Sequence, residues 1–216
     1  MWDYNDKNHY DNLTNDNVGQ ICNDSFFSEI EKYASNHNYK TFLEVGTWNG
    51  LGSTKAFVNG FSARNDDYIF YSLECNTDKC DDATKLYKNN KQMHILNEVI
   101  WNKEPDDFFD IFPQCKFDPT YKHWHDVDMV NMEMCKLFLD RTELPSMFDV
   151  ILLDGGEFTT YHEFQILKNK CKVLMLDDTE CDKCKFIVQE LLADPNWKIV
   201  KQEKIRNGYV IAERNL

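Results

Sequence analysis

The chain has 216 residues, 42% hydrophobic and 14% aromatic, which is enough for one sizeable core without disulfide or metal staples and too apolar for a disordered protein. Its formal net charge of −13 repels phosphate backbones and anionic membrane surfaces, so neither a nucleic acid nor a membrane is an expected partner. The basic residues come as scattered pairs, such as Lys170 with Lys172 and Lys183 with Lys185, a pattern read as solvated helix and strand ends.

Residues 1–22 form an Asn- and Asp-rich N-terminal arm without an apolar run, so no secretory signal is read there and a cytoplasmic location is expected. Eight cysteines are then expected as reduced thiols, many of them core filler. From Asn23 to Asn38, Phe26, Phe27, Ile30, Tyr33 and Ala34 recur at helical spacing behind the capping candidates Asn23, Asp24 and Ser25. Thr41 to Val45 is a short apolar strand running into a Gly-rich turn, and Leu51 to Val58 is a helix closed by Gly60. A strand at Tyr68–Leu73, a helix at Thr77–Asn89 and a strand at Met93–Leu96 continue the alternation of a parallel sheet.

Residues 103–147 break that rhythm with prolines, aromatics and the stretch His123-Trp124-His125-Asp126, and are read as an insertion capping the substrate, with a helix around Val127 to Leu139. Alternation resumes with strand Phe148–Leu153, helix Thr159–Lys168, strand Lys172–Leu176 and helix Cys184–Leu192. Trp197–Ile205 and Tyr209–Glu213 then form two strands joined by Asn207-Gly208, a hairpin signal by which an antiparallel last strand closes the sheet. The whole is expected to be one α/β domain, 1–216.

In such a sheet, ligands bind outside the carboxyl ends of the strands. Those ends carry Glu44, Gly46, Thr47, Gly50, Gly52 and Ser53 after the first strand and Glu74 after the second. Asp154-Gly155-Gly156-Glu157 follow the fourth, and Asp177 and Asp178 the fifth. The glycines fall as GxxxGxG rather than GxGxxG, and Glu44 would sit poorly beside a pyrophosphate. An acidic group suits a ligand with positive charge, such as the ammonium and sulfonium of S-adenosylmethionine, with Glu74 placed to take both ribose hydroxyls. Trp48 and Trp101 are candidates to flank the adenine.

The segment Glu44 to Ser53 reads E-x-G-T-x-x-G-x-x-S, and in this the chain resembles the class I methyltransferases, in particular the O-methyltransferases of the catechol and macrolide-sugar type. The resemblance runs from Thr41 to the end, outside the insertion. It implies a Rossmann-like sheet of order 3-2-1-4-5-7-6, S-adenosylmethionine as cofactor, and transfer to a hydroxyl, with a sugar or glycan favoured over a catechol. It also implies a divalent ion, Mg²⁺ or Mn²⁺, held by Asp154, Asp177 and Asp178; three converging carboxylates repel one another, and such an ion would relieve them.

The chain departs from that pattern at Glu157, where relatives carry Lys or His. Glu157 is a candidate general base beside Asp154, or a further metal ligand, and His162 is a second base candidate. Cys181-Asp-Lys-Cys184 has zinc-ligand spacing without a second half, and His123, His125 and Asp126 fit a cap better than a metal site. A nucleotide-dependent oxidoreductase and a cofactor-binding module without catalysis are the alternatives. A homodimer is compatible with all three, and the Asn and Lys content suits an AT-rich genome, a viral one among the candidates.

Overall fold

The computed structural model describes residues 21–103 and 108–215; most of the 1–22 arm therefore lies outside the described residues. The first helix, α1 (Ser25–Ser35), starts at Asp24, whose side chain accepts from the Phe27 N–H at 2.8 Å. Strand β1 (Thr41–Val45) follows, then α2 (Ser53–Ser62), β2 (Ile69–Leu73), α3 (Thr77–Tyr87) and β3 (Met93–Leu96). The second half holds β6 (Phe148–Leu153), α6 (Thr160–Leu167), β7 (Cys171–Asp177), α7 (Asp182–Ala193), β8 (Trp197–Glu203) and β9 (Tyr209–Arg214). Between the halves lie β4 (Glu98–Val99), α4 (Phe108–Ile111), α5 (Pro119–Glu133) and β5 (Lys136–Leu137).

Seven strands make one sheet in the order β3-β2-β1-β6-β7-β9-β8. With strands counted within that sheet this is 3-2-1-4-5-7-6, as expected. Pairing is parallel from β3 to β7 and antiparallel at β7·β9 and β8·β9.

Because strand side chains alternate, each central strand feeds both faces. Leu43, Val45, Ile151, Leu153, Leu174 and Leu176 pack with Phe164, Leu167, Ile187 and Leu191 of α6 and α7. Phe42, Phe70, Val150, Leu152, Val173 and Met175 pack on the other face with Phe26, Ile30, Ala56 and Phe57 of α1 and α2. The strands are accordingly buried almost end to end.

Three local expectations change. Gly60 lies inside α2 rather than closing it: a Cβ there would come within 2.6 Å of Ala34 Cβ and 2.5 Å of the Glu31 carbonyl, so the glycine permits close contact with α1. The insertion helix begins at Pro119, earlier than its apolar pattern suggests, because Asp118 caps it and Pro suits its first position. It ends by Glu133, and Lys136–Leu137 pairs with Glu98–Val99 as a short parallel ribbon. The terminal hairpin forms, but Glu203 pairs with Tyr209, so its loop spans 204–208, with Arg206 (φ 51°) and Gly208 (φ 82°) in the left-handed region.

Candidate functional site

A cavity of about 550 Å³ opens at the carboxyl ends of β1, β2, β6 and β7. The β1 turn forms one wall. Gly46 (φ 99°) runs so close to β6 that a Cβ would meet the Asp154 carbonyl at 2.2 Å, which is why glycine is required there. Thr47, Trp48, Gly52 and Ser53 line the cavity beside it, and Ser53 opens α2, pointing helix N–H groups towards this end of the sheet. Gly50 points away, against Ala83 and Tyr87 of α3.

Glu74 lines the cavity beside that turn, with Oε2 accepting from the Trp48 N–H at 2.7 Å and Oε1 from the Asn76 N–H at 2.8 Å. Burial raises its pKa, and those two N–H groups pull it back down. Its position is fixed from both sides, while the carboxylate oxygens keep lone pairs for a ligand. Trp48 is itself held in the left-handed region (φ 51°), with the Lys79 ammonium 4.6 Å from its ring centre.

Glu44 is placed differently from the expectation. It shares a face of β1 with Phe42, so it points beneath α2 and is 0% exposed, behind the cavity wall rather than in it. Its Oε2 accepts from Thr54 Oγ1 at 2.7 Å and Ser72 Oγ at 2.5 Å, and burial pushes its pKa up to about 7. This carboxyl ties α2 to β1 and β2, and only through that tie does it shape the turn.

Trp101 and His162 stack on each other, ring centres 5.4 Å apart and planes 14° from parallel, and neither lines the cavity. His162 is thus not brought to Asp154 and Glu157, and Trp101 does not reach the cavity. His125 is buried between Phe109 and Phe158, in the packing of the insertion. Cys184 Sγ donates to the Asp177 carbonyl at 3.2 Å, and both cysteines of the Cys181–Cys184 pair are free thiols.

Asp154, Asp177 and Asp178 do converge, with ligand atoms within 4.8 Å of one another, as the sequence implied. Two cations that sequence reading missed sit among them, and burial together with the neighbouring carboxylates still raises the pKa of Asp154. Lys183, only 5% exposed, sets its ammonium 2.7 Å from Asp178 Oδ2, 3.3 Å from Asp154 Oδ1 and 3.1 Å from the Gly155 carbonyl. Arg206 pairs with both oxygens of Asp177, at 2.8 and 3.0 Å, and Asn207 Nδ2 donates to Asp178 at 3.0 Å.

Burial works against the Lys183 charge, yet Asp178, Asp154 and Glu157 hold its pKa well above the usual lysine range. Asp178, against the upward push of burial, is held below the usual carboxylate range by Lys183 and Asn207. Lys183 is therefore an internal counter-ion, not half of a solvated pair with Lys185. A signal existed: a lysine in the first turn of α7 opposes the helix dipole and needs compensation. Both oxygens of Asp177 and both of Asp178 are engaged, and an ammonium stands between Asp178 and Asp154; that set does not fit a divalent ion, which requires free oxygens and tolerates no ammonium between them.

Three further carboxylates, Glu157, Glu163 and Asp128, line the cavity. Glu157 Oε2 and Glu163 Oε2 are buried without a hydrogen-bond partner among the described residues. Glu163, 3% exposed, is pushed up to about 7 by burial, with Thr159 opposing, and Asp128 of α5 is pushed to about 7 by burial and by Glu74 and Glu157. Neither Asp128 nor Glu163 was singled out from sequence, since each lies within a helix with no motif around it.

No protein-family model and no curated relative matches the sequence. Solved structures do. The fold is that of the class I methyltransferases. A putative caffeoyl-CoA O-methyltransferase from Staphylococcus aureus matches 95% of this chain and 90% of its own at a TM-score of 0.59 and 14% identity. An O-methyltransferase from Bacillus cereus, in complex with SAH, matches 95% and 88% at 0.59 and 13%. The SAH-bound methyltransferase PaMTH1 from Podospora anserina matches 100% and 99% at 0.53 and 12%. At such identities the likeness is one of fold. No helix among the described residues is long and apolar enough to cross a membrane.

Proposed function

We propose that this chain is an S-adenosylmethionine-dependent methyltransferase acting on a hydroxyl group. The observation that carries the proposal is Glu74, locked by the Trp48 and Asn76 N–H groups beside the Gly46–Ser53 turn on the cavity wall. Glu74 would hold the ribose hydroxyls, and the turn would hold the methionine part. The cavity's buried, unpartnered Glu157 and Glu163 oxygens suit a ligand rich in donors and positive charge.

When bound, the cofactor supplies an electrophilic methyl group on a sulfonium. The chain's own part is to seat the acceptor, exclude water and take up the hydroxyl proton, and Glu157 is the carboxylate on the cavity wall suited to that last task. The O-methyltransferase names of structural neighbours support oxygen as the acceptor atom, and the resemblance to macrolide-sugar enzymes supports a sugar or glycan.

Titration calorimetry tests the cofactor: S-adenosylmethionine and S-adenosylhomocysteine are expected to bind and NAD not to bind. A radiolabelled methyl transferred to members of a hydroxyl panel identifies an enzyme. Cofactor binding with no transfer to any sugar, glycan or phenol would instead favour a binding module.

A further inference from the structure

We infer that Lys183 takes the place of a divalent metal in this site, so that the ammonium bridging Asp154 and Asp178 is the cation facing the acceptor. The inference rests on the methyltransferase reading above. The three aspartates stand at positions where the resemblance implies a metal, yet all three are paired with side chains of this same chain. Lys183 comes from the first turn of α7, Arg206 from the hairpin loop, and each arrives on a separate element of a fully formed sheet. Of the two, Lys183 lines the cavity and Arg206 does not.

Glu157 lines the same cavity and is close enough to Lys183 to support its charge, which brings ammonium and base candidate together. Transfer then balances without a metal. The acceptor hydroxyl gives its proton to Glu157, and an oxygen electron pair forms the bond to the methyl carbon. The carbon–sulfur bond breaks, and its electron pair returns to sulfur, which becomes a neutral thioether. The Lys183 ammonium, its three N–H groups held by Asp178, Asp154 and the Gly155 carbonyl, acts on the acceptor oxygen through its charge, stabilising the negative charge that oxygen gains as the proton departs.

The direct test is Mn²⁺ binding followed by electron paramagnetic resonance on the wild-type protein, with the cofactor's affinity measured separately by calorimetry. Wild type is expected to leave Mn²⁺ free at millimolar concentration and to transfer methyl groups equally well in excess EDTA. Lys183→Ala is expected to gain Mn²⁺ binding, because it frees Asp154 and Asp178, and to lose transfer at least about a hundredfold while binding S-adenosylmethionine within about threefold of wild type. Stoichiometric Mn²⁺ in the wild type, lost in Asp178→Asn, would overturn the inference and leave the methyltransferase reading intact. Absence of cofactor binding would overturn that reading while the Mn²⁺ result still decides the seat of Lys183. Should Lys183→Ala fail to fold, the wild-type titration and the EDTA comparison decide the question.

Discussion

Arg206 grips Asp177 with both terminal nitrogens, Nη1 to Oδ2 at 2.8 Å and Nη2 to Oδ1 at 3.0 Å, while its Nε reaches Asp24 Oδ2 at 2.7 Å. One guanidinium thereby joins the hairpin loop, the end of β7 and the cap of α1. The aspartate it serves is 1% exposed, so removing the arginine leaves a buried carboxylate without its counter-ion.

Arg206→Met is accordingly expected to cost about 3–5 kcal/mol of stability, as breaking one side of a buried pair does. Denaturant unfolding of the single variants and of Arg206→Met with Asp177→Asn measures it. The double variant is expected to lose less than the sum of the singles; strict additivity would mean that the two residues are not coupled.

Glu74→Gln keeps the shape of the site but replaces an acceptor oxygen by an amide donor that faces a backbone N–H. S-adenosylmethionine affinity is expected to fall at least about tenfold, equivalent to about 1.4 kcal/mol. Calorimetry reads this directly, and unchanged affinity would remove Glu74 from the cofactor wall.

Gly46→Ala places a Cβ 2.2 Å from the Asp154 carbonyl at a residue with φ 99°, so both the contact and the backbone oppose it. The expected loss is about 2–4 kcal/mol of stability together with weaker cofactor binding, because the β1 turn must withdraw from β6. Denaturation midpoints and calorimetry on the same variant separate the two effects. A variant as stable as wild type would show that the turn is not so confined.

Burial sets the pH dependence at Glu163. Its folded pKa, about 7, lies above its ordinary value of 4.5. The folded form holds its proton more tightly than the unfolded chain does, so the associated stability is complete below about 4.5 and is lost as pH rises through about 7; the full loss is about 3 kcal/mol. Glu163→Gln, which stays neutral, is expected to remove that part of the decline between pH 5 and pH 8. Equal slopes for wild type and variant in unfolding experiments across that range would refute the assignment.

Much of this fold could be read from local pattern. The apolar runs at Thr41–Val45 and Phe148–Leu153 and the cap at Asp24 each depend on neighbouring residues only and appear where the pattern puts them, and the Asn207-Gly208 signal marks a hairpin that forms with a longer loop. Boundaries failed where a distant contact intervened: Gly60 resembles a helix stop until α1 is seen packed against it. Glu44 shows the limit for the site. Its spacing drew attention to the turn, but only Thr54 and Ser72 closing over it beneath α2 reveal a buried structural carboxyl.

The sequence by itself determined the sheet, its terminal hairpin, the glycine turn and the acidic residues at the strand ends, because backbone conformation and side-chain alternation are short-range properties. Tertiary structure decided what those acids face. Asp154 and Asp178 are 29 and 5 residues from the lysine that sits between them, and Asp177 is 29 residues from its arginine. Electrostatic pairing depends on distance in space, so whether three aspartates await an ion or already hold one cannot be read from their spacing along the chain.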